Sequence, residues 1–171
     1  MGMEGAEMIY VVDTCVFRHI ISHVYRSVLP EVWESLEDML SLGEVISVKE
    51  SYKELELQFS KDGKVMKWLR HYRDSFKVLT NEEAIIVSQI YAYRNFQYGV
   101  KEKCIINGMP VADAFIVAKA KCVQGIVVTR ETFSPTSAKI PNICESFDVP
   151  YIGEEEFQLI LKNRKKNLIK A

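Results

Sequence analysis

The chain has 171 residues, a length that suits one domain and excludes two large ones, because compact domains cluster near roughly 100 to 150 residues. Hydrophobic residues make up 48% and charged residues 26% of the chain, a balance that excludes disorder, collagen and coiled coil. The net charge is −1, but residues 162–171 hold five basic and no acidic side chains, so the other 17 basic and 23 acidic side chains give the body a charge of −6. That distribution excludes a broad positive face for duplex DNA.

Cysteine spacing and hydropathy predict a reduced, cytoplasmic protein. The four cysteines form no C-x-x-C pair, so neither a zinc knuckle nor a thioredoxin-type site is predicted. The first apolar run stops at Asp13, which is too short for a signal peptide or for the roughly 20 residues of a membrane span. We therefore expect no membrane segment, and we expect residues 1–7 to be a flexible N-terminus or a remnant of cloning.

The first half of the chain alternates predicted strands and helices. Met8–Val12 is a continuous apolar run rich in β-branched residues, which is typical of a strand buried on both faces of a parallel sheet. The next predicted elements are a helix at Pro30–Leu42 that Gly43 ends, a strand at Val45–Val48, and helices at Glu50–Phe59 and Val65–Tyr72.

The second half continues the alternation. Thr80 and Glu83 form a capping-box pattern before a predicted helix at Ala84–Phe96. The remaining predicted elements are a helix from Pro110 through Lys121, a strand at Ile126–Thr129 after Gly125, a strand at Val149–Ile152 and a helix at Glu154–Leu161. This order predicts an α/β fold, a three-layer α/β/α sandwich with a mostly parallel central sheet, formed as one domain over residues 8–161 with a basic tail at 162–171.

Acidic side chains flank the predicted strands. Functional groups in open parallel sheets gather where the strands end at their carboxyl side. Asp13 directly follows the first strand, and Glu131 lies two residues beyond the strand that ends at Thr129. Asp113 lies in the first turn of the helix that leads into that later strand. A fourth acid is expected from the helix after the second strand, which offers Glu50, Glu54 and Glu56.

Several carboxylates in one pocket predict a hard divalent cation. Mg²⁺ and Mn²⁺ prefer carboxylate oxygens and water as ligands. Without a cation the acids would repel one another, and one of them would tend to protonate. Such an ion best serves phosphoryl transfer, because it lowers the pKa of a bound water and neutralises charge on a phosphodiester.

Four segments surround these acids: VVDTCVF at Val11–Phe17, SYKELE at Ser51–Glu56, VADAFIVAKAKCVQGIVVTRE at Val111–Glu131, and KIPNICESFDVPYIGEEEF at Lys139–Phe157. Together they resemble the PIN-domain nucleases, the family of VapC-like ribonuclease toxins and several RNA-processing endonucleases. The first segment is similar to the family's opening, the second to a helix that bears a glutamate and then a leucine, which points to Glu54. The third is similar to an aspartate-led helix followed by a strand that ends in threonine and an acid. The fourth resembles the tail of a PIN-like subgroup with an Ile-Pro-x-x-Cys segment.

The resemblance covers residues 8 to about 161 and implies a PIN-like fold with Mg²⁺- or Mn²⁺-dependent endoribonuclease activity. Two positions depart from the family pattern: Cys15 stands where many relatives carry a small polar residue, and Glu131 replaces the commoner aspartate. By resemblance, the metal-holding catalytic residues are Asp13, Glu54, Asp113 and Glu131, with Thr14 and Thr129 as hydrogen-bonding support.

The resemblance also implies the partners. RNA is the expected substrate, an antitoxin protein the expected partner, and a homodimer a candidate assembly. A chain of this size with no appended duplex-reading module suits single-stranded or looped RNA. An antitoxin would insert an Arg or Lys near the acids. The alternative is a non-catalytic PIN-like module that binds RNA or a protein and keeps the acids for structure.

Each candidate acid also has a structural interpretation. Asp13 and Asp113 both suit helix starts, where a carboxylate satisfies backbone amides or the helix dipole. Glu54 shares one helix face with Glu50, where a solvated glutamate is the usual outcome. Glu131 lies in a loop rich in Thr, Ser and Pro, where a surface acid is ordinary.

Three further patterns leave alternatives open. His19 and His23 have the i, i+4 spacing of a zinc pair but lack an H-E-x-x-H motif, so surface or interface positions are expected. The aromatic group either stacks RNA bases or packs in the core, and the basic tail either follows a phosphate backbone or is a solvated terminus. The aromatic group consists of Tyr91, Tyr93, Phe96 and Tyr98.

Overall fold

The computed structural model of the chain describes residues 8–97 and 111–170, with side chains described as far as residue 164. The strands are β1 (Tyr10–Val12), β2 (Val45–Val48), β3 (Phe76–Lys77), β4 (Ile126–Thr129) and β5 (Tyr151–Gly153). The helices are α1 (Thr14–His23), α2 (Pro30–Leu42), α3 (Lys49–Gln58), α4 (Lys64–His71), α5 (Asn81–Ala92), α6 (Asp113–Val123), α7 (Ile140–Ser146) and α8 (Glu154–Lys170). A short 3-10 helix at Arg73–Ser75 leads into β3.

The strands form one sheet in the order β3-β2-β1-β4-β5, and each pairing is parallel. The chain builds outward from β1 to β3 and then returns to place β4 on the other side of β1, so the strand order switches between β1 and β4. All carboxyl ends lie at one edge, which we call the carboxyl edge. In open α/β sheets, the crevice at this edge beside the switch is the usual ligand site.

Helices cover both faces of the sheet, which makes the three layers that the sequence predicts. Val12 and Val128 lie in a buried cluster with α1, α2, α3, α4 and α8. Val11 and Val127 lie in a second cluster with α5, α6 and α7. Successive residues of one strand point to opposite faces, so the continuous apolar runs of β1 and β4 follow from burial on both sides.

Three elements differ from the sequence prediction, which assigned no helix at residues 14–23, no strand at 76–77 and no helix at 140–146. Helix α1 begins directly after β1, without the glycine or proline that commonly marks a boundary. Strand β3 has only two residues, too few to show a period. Helix α7 has seven residues with proline in its first turn, and so short a helix carries little periodicity.

The predicted helix at Ala84–Phe96 is confirmed over most of its length, with corrected bounds. Its capping box is present: Thr80 Oγ1 accepts from Glu83 N at 3.2 Å, and Thr80 N donates to Glu83 Oε2 at 3.0 Å. Helix α5 ends at Ala92, and the chain is helical again at residues 94–97. The predicted start at Pro110 lies outside the described residues, and helix α6 begins at Asp113.

The prediction that the last helix ends at Leu161 is wrong, because the backbone of α8 is helical as far as Lys170. Among the side chains of α8 that the structure describes, Leu161 is the last that is apolar and fully buried. One turn later, Arg164 pairs with Glu44 and lies 3.2 Å from Asp38 Oδ2, which fixes the helix beyond its apolar face. Within the described ranges, no helix is both long and apolar enough to cross a membrane.

Two glycines are required by the backbone. Gly43 ends α2 with a φ of +77°, a left-handed conformation that glycine adopts without a steric penalty. A Cβ on Gly125 would lie 2.7 Å from the backbone oxygen of Ile9, so only glycine lets β4 begin this close to β1. That close approach sets the register in which Thr129 lies beside Asp13.

Candidate active site at the carboxyl edge

Asp13 lies at the carboxyl end of the central strand. Its backbone N donates to Val128 O at 2.9 Å, so the ladder between β1 and β4 continues one residue beyond β1. By strand alternation Asp13 shares the sheet face of Val11, the face that α6 covers. The residue is only 5% exposed, and its carboxylate makes no capping bond to α1. Helix capping therefore does not explain this side chain.

Two side chains hold the Asp13 carboxylate in place. Cys15 Sγ donates to Asp13 Oδ2 at 2.7 Å, and Thr129 Oγ1 donates to the same oxygen at 3.0 Å. Burial and the charge of Asp13 raise the pKa of the Cys15 thiol, so the thiol keeps its proton and remains a donor. The predicted support from Thr129 is present, whereas Thr14 Oγ1 is buried without a hydrogen-bond partner among the described residues. Cys15 takes the part expected of Thr14.

Negative charges converge on Asp13. Burial is the largest cause that raises the pKa of Asp13, to about 7, and the charge of Asp113 is the next. Glu131 raises this pKa further, while the hydrogen bonds from Cys15 and Thr129 lower it. A buried carboxylate that feels two other carboxylates is unfavourable unless a proton or a cation compensates it.

Glu54 reaches the helix that carries Asp113. Glu54 Oε1 accepts from Ala112 N at 3.2 Å, and Ala112 is the residue directly before Asp113 at the start of α6. Of the other two candidates for the fourth acid, Glu56 is exposed and lines a cleft on α3 with Tyr52. Glu50 Oε2 is buried without a hydrogen-bond partner in the described part of the chain. Glu54 is thus the candidate with a contact to the Asp113 segment.

Glu131 also binds the start of a helix. Its Oε2 accepts from Ile140 N at 2.8 Å, at the first residue of α7. Its own backbone N donates to Thr129 Oγ1 at 3.1 Å, so Thr129 links Glu131 to Asp13. The charges of Asp113 and Glu131 therefore act on Asp13. Glu54 is linked to Asp113 through the backbone at the start of α6.

The acidic side chains at the carboxyl edge have the ligand chemistry that a hard divalent cation needs. In the described part of the chain they are not arranged around one point. The acidic side chains of this edge offer carboxylates, the ligands that Mg²⁺ and Mn²⁺ prefer, and the charges of Asp113 and Glu131 both oppose ionisation of the buried Asp13. Among residues 8–97 and 111–164, no three His, Cys, Asp or Glu side chains already surround one point. Glu54 and Glu131 each direct one oxygen to a helix amide, and their side chains would have to turn to join Asp13.

One further acidic residue at this edge is not among the acids that the sequence analysis selected. Glu154 directly follows β5 and is 6% exposed. His19 Nδ1 lies 2.6 Å from its Oε1, and Arg130 Nε lies 2.9 Å from its Oε2. The rule that selected Asp13, an acid at the carboxyl end of a strand, also applies to Glu154 and would have found it, although β5 is less buried than β1.

The remaining patterns are assigned to structure. His19 stacks on His23 with 4.8 Å between ring centroids, but His19 is bound to Glu154, which leaves no support for a zinc pair. Phe96 is buried and Tyr91 packs against the same cluster, as the core interpretation predicts. Tyr93 is 53% exposed, and Tyr98 lies outside the described residues.

Comparison with known proteins gives a family and a fold. The family model described as "Domain of unknown function (DUF4411)" matches residues 10–166. A structure of FitAB bound to an IR36 DNA fragment is similar, with 18% identity, a TM-score of 0.50, and coverage of 85% of this chain and 95% of that chain. VapBC2 from Rickettsia felis, bound to a DNA fragment from their promoter, gives 13% identity, a TM-score of 0.48, and coverage of 85% and 98%. No curated protein matches the sequence. The fold is a three-layer α/β/α PIN-like fold.

Proposed function

This chain belongs to the DUF4411 family, and we propose that it is a metal-dependent endoribonuclease that hydrolyses phosphodiester bonds of RNA. The observation that carries the proposal is the buried carboxylate of Asp13, which Cys15 and Thr129 hold at the carboxyl end of β1 and whose pKa the charges of Asp113 and Glu131 raise. Asp13 lies beside the switch in strand order, where open α/β sheets bind their ligands.

In this proposal Mg²⁺ or Mn²⁺ is held by Asp13, Glu54, Asp113 and Glu131. When bound, the ion would supply an activated water and neutralise negative charge on the phosphodiester. The donor chemistry supports this assignment, because carboxylates are the side chains that gather here and no thiolate is available: the Cys15 thiol stays protonated.

The protein's own contribution is to fix the carboxylate of Asp13 and the helix start that carries Asp113 before substrate arrives. Cys15 and Thr129 fix Asp13 Oδ2. Glu54 fixes the start of α6 and so the position of Asp113, while Glu131 fixes the start of α7. Such preorganisation lowers the cost of reaching the transition state.

The Ile-Pro-x-x-Cys segment has a part in this arrangement. It begins at Ile140, whose backbone N donates to Glu131, and Cys144 is fully buried against the sheet. We include membership of the PIN-like subgroup with this segment in the proposal, since here the segment anchors one of the four acids.

A biological role as the toxin of a toxin–antitoxin pair is part of the same proposal, and it rests on the resemblance to VapC-like ribonucleases. The partner would be an antitoxin protein that inserts an Arg or Lys among the acids. The protein would act in the cytoplasm on single-stranded or looped RNA. A homodimer stays a prediction from the resemblance.

RNA cleavage tests the activity. We expect the full chain to cut a structured RNA with Mn²⁺ and not with EDTA, and we expect Asp13→Asn and Asp113→Asn to abolish cutting while they remain folded. Asp62→Asn is the matched control, because Asp62 is an exposed turn residue. Undiminished cleavage by either site variant would remove the assigned mechanism.

One observation favours a second function, a non-catalytic module that binds RNA or a protein. Glu54 and Glu131 both accept from amides at helix starts, and a purely structural role accounts for those contacts. Metal binding separates the two functions, because a ligand that binds only the folded state stabilises it. Thermal stabilisation by Mn²⁺ that is lost in Asp13→Asn supports the enzyme; RNA binding with no metal effect and no turnover supports the module.

A further inference from the structure

We propose that the cleft between Glu131 and Glu154 binds a phosphate of the RNA backbone next to the bond that is cut. In this proposal Arg130 contacts the phosphate, and Glu154 is a positioning residue that orients Arg130. The inference rests on the proposed function and names a substrate subsite for the same site.

The cleft shares Thr129 and Glu131 with the acidic site. It is an open hollow of about 420 Å³ whose wall includes Thr129, Glu131 and Glu154. Arg130 stands in the chain between Thr129, which donates to Asp13 at 3.0 Å, and Glu131. A group bound by Arg130 would therefore lie beside the carboxylates.

The carboxylate of Glu154 has two partners besides Arg130. Its Oε1 lies 2.6 Å from His19 Nδ1 and accepts from Gln158 Nε2 at 2.8 Å. Its Oε2 lies 2.9 Å from Arg130 Nε. Since His19 is on α1 and Gln158 on α8, two elements hold the carboxylate that directs the guanidinium.

The exposure of the Arg130–Glu154 ion pair suits a binding site better than a pair that stabilises the fold. The Arg130 side chain is 47% exposed, whereas the Glu154 side chain is 6% exposed. A half-exposed ion pair adds little to stability, and burying its carboxylate has a desolvation cost. Glu154 contacts the guanidinium at Nε through an ion pair rather than an aligned hydrogen bond, and the two terminal nitrogens of an arginine are the donor pair that suits a phosphate.

The negative net charge of the body of the protein means that RNA binding depends on local contacts to phosphate. Outside residues 162–171 the chain carries −6, so its overall field does not attract a polyanion. An oriented arginine beside the carboxylates gives the RNA backbone a defined point of attachment. We therefore expect Arg130 to contribute to RNA affinity even without a metal.

RNA binding in EDTA tests the subsite. With a fluorescently labelled single-stranded RNA and the full chain, we expect Arg130→Gln to weaken binding about tenfold, the effect of one charge-assisted hydrogen bond. The slope of log affinity against log salt should fall by about 0.7, the value for one lost phosphate contact on a single strand. Arg130→Lys keeps the charge but not the planar guanidinium. Its RNA affinity should lie between those of the wild-type protein and Arg130→Gln.

Arg26→Gln is the matched control. Arg26 is also a half-exposed, ion-paired arginine, but it pairs with Glu37 on α2. If Arg130→Gln weakens RNA binding no more than Arg26→Gln does, the subsite is wrong. Failure of the wild-type protein to bind RNA in EDTA would also overturn it.

Glu154→Gln separates positioning from net charge. Removing an acid makes the protein more positive, so a general electrostatic effect predicts tighter RNA binding. Positioning predicts weaker binding, with no further loss when the change is added to Arg130→Gln. Tighter binding by a folded Glu154→Gln protein would exclude the positioning role.

The outcomes also separate the subsite from the proposed activity. Arg130-dependent RNA binding without metal-dependent cleavage keeps the subsite and rejects the nuclease. Cleavage with Mn²⁺ that is accompanied by normal RNA binding in Arg130→Gln keeps the nuclease and rejects the subsite.

Discussion

At the scale of single residues, Asp13 combines deep burial with a hydrogen-bonded but electrostatically unfavourable position. Cys15 and Thr129 favour its charged form, while burial and Asp113 oppose that form more strongly. The result is a carboxylate whose pKa is raised from 3.8 to about 7. A residue held in this way lowers the stability of the empty protein, which is a common property of functional sites.

This cost predicts a pH dependence. Because the folded-state pKa of Asp13 lies above its unfolded value of 3.8, the folded protein binds the proton more tightly, and stability falls as pH rises through about 7. In EDTA, Asp13→Asn should be more stable than the wild-type protein at about pH 8, and this difference should shrink towards about pH 5. Urea denaturation at both values measures it.

The control for this prediction is Asp62→Asn, which changes an exposed carboxylate and should give no pH-dependent difference. The burial argument would be wrong if Asp13→Asn were less stable than the wild-type protein at the higher pH.

The sequence identifies acids by their position after strands but not by their contacts. Asp13, Asp113 and Glu131 were predicted to share one site, and the charges of Asp113 and Glu131 raise the pKa of Asp13; that these acids hold one metal ion stays a prediction. The choice between Glu50 and Glu54 depends on the amide of Ala112, which is 58 residues from Glu54 along the chain. No local pattern encodes that contact. The sequence marks Cys15 as a departure from the family pattern beside Asp13, but its role as a donor to that carboxylate depends on a contact that only the structure shows.

At the scale of elements, helices α5 and α6 are joined by a buried ion pair. Lys119 Nζ lies 2.7 Å from Glu83 Oε1, and these side chains are 5% and 3% exposed. Lys119 also donates to Val78 O at 3.1 Å, and Glu83 Oε2 completes the Thr80 capping box. The capping box was predictable from residues three apart, whereas the ion pair joins residues that read as surface charges in the sequence.

Breaking this pair on one side should be strongly destabilising, because it leaves Glu83 as an unpaired buried charge. We expect Lys119→Met to lower the free energy of unfolding by about 3–5 kcal/mol, measured by urea denaturation. The double change Lys119→Met with Glu83→Gln should recover part of that loss. Lys67→Met, at an exposed position on α4, is the control, and equal losses for the two lysine variants would contradict the burial argument.

The contact between β4 and β1 gives a second prediction for the elements. Gly125→Ala should destabilise the protein by about 1–3 kcal/mol, the cost of overpacking, because its Cβ would meet Ile9 O at 2.7 Å. Gly153→Ala is the matched control. Gly153 is the last residue of β5, and a Cβ there meets nothing within 4 Å. Thermal unfolding of the two variants makes the comparison, and an equal shift in both would contradict the steric argument.

At the scale of the whole molecule, the parallel sheet explains how distant parts of the chain meet. Residues from α1, α3, α6 and the segment after β4 reach one edge because each parallel strand ends there. The alternation of strands and helices was therefore enough to predict the three layers. Helices α1 and α7 were not predicted, because one lacks a glycine or proline boundary and the other is too short to show a period, and the end of α8 depends on ion pairs with distant residues.

The central claim is that the carboxyl edge holds a divalent ion between its acids. Anomalous scattering from crystals soaked in Mn²⁺ tests it most directly, with crystals of Asp13→Asn as the control. The account predicts a manganese peak in contact with the carboxylates of Asp13 and Asp113 that is lost in the variant. Manganese bound elsewhere, with both of these carboxylates free of it, would contradict the account.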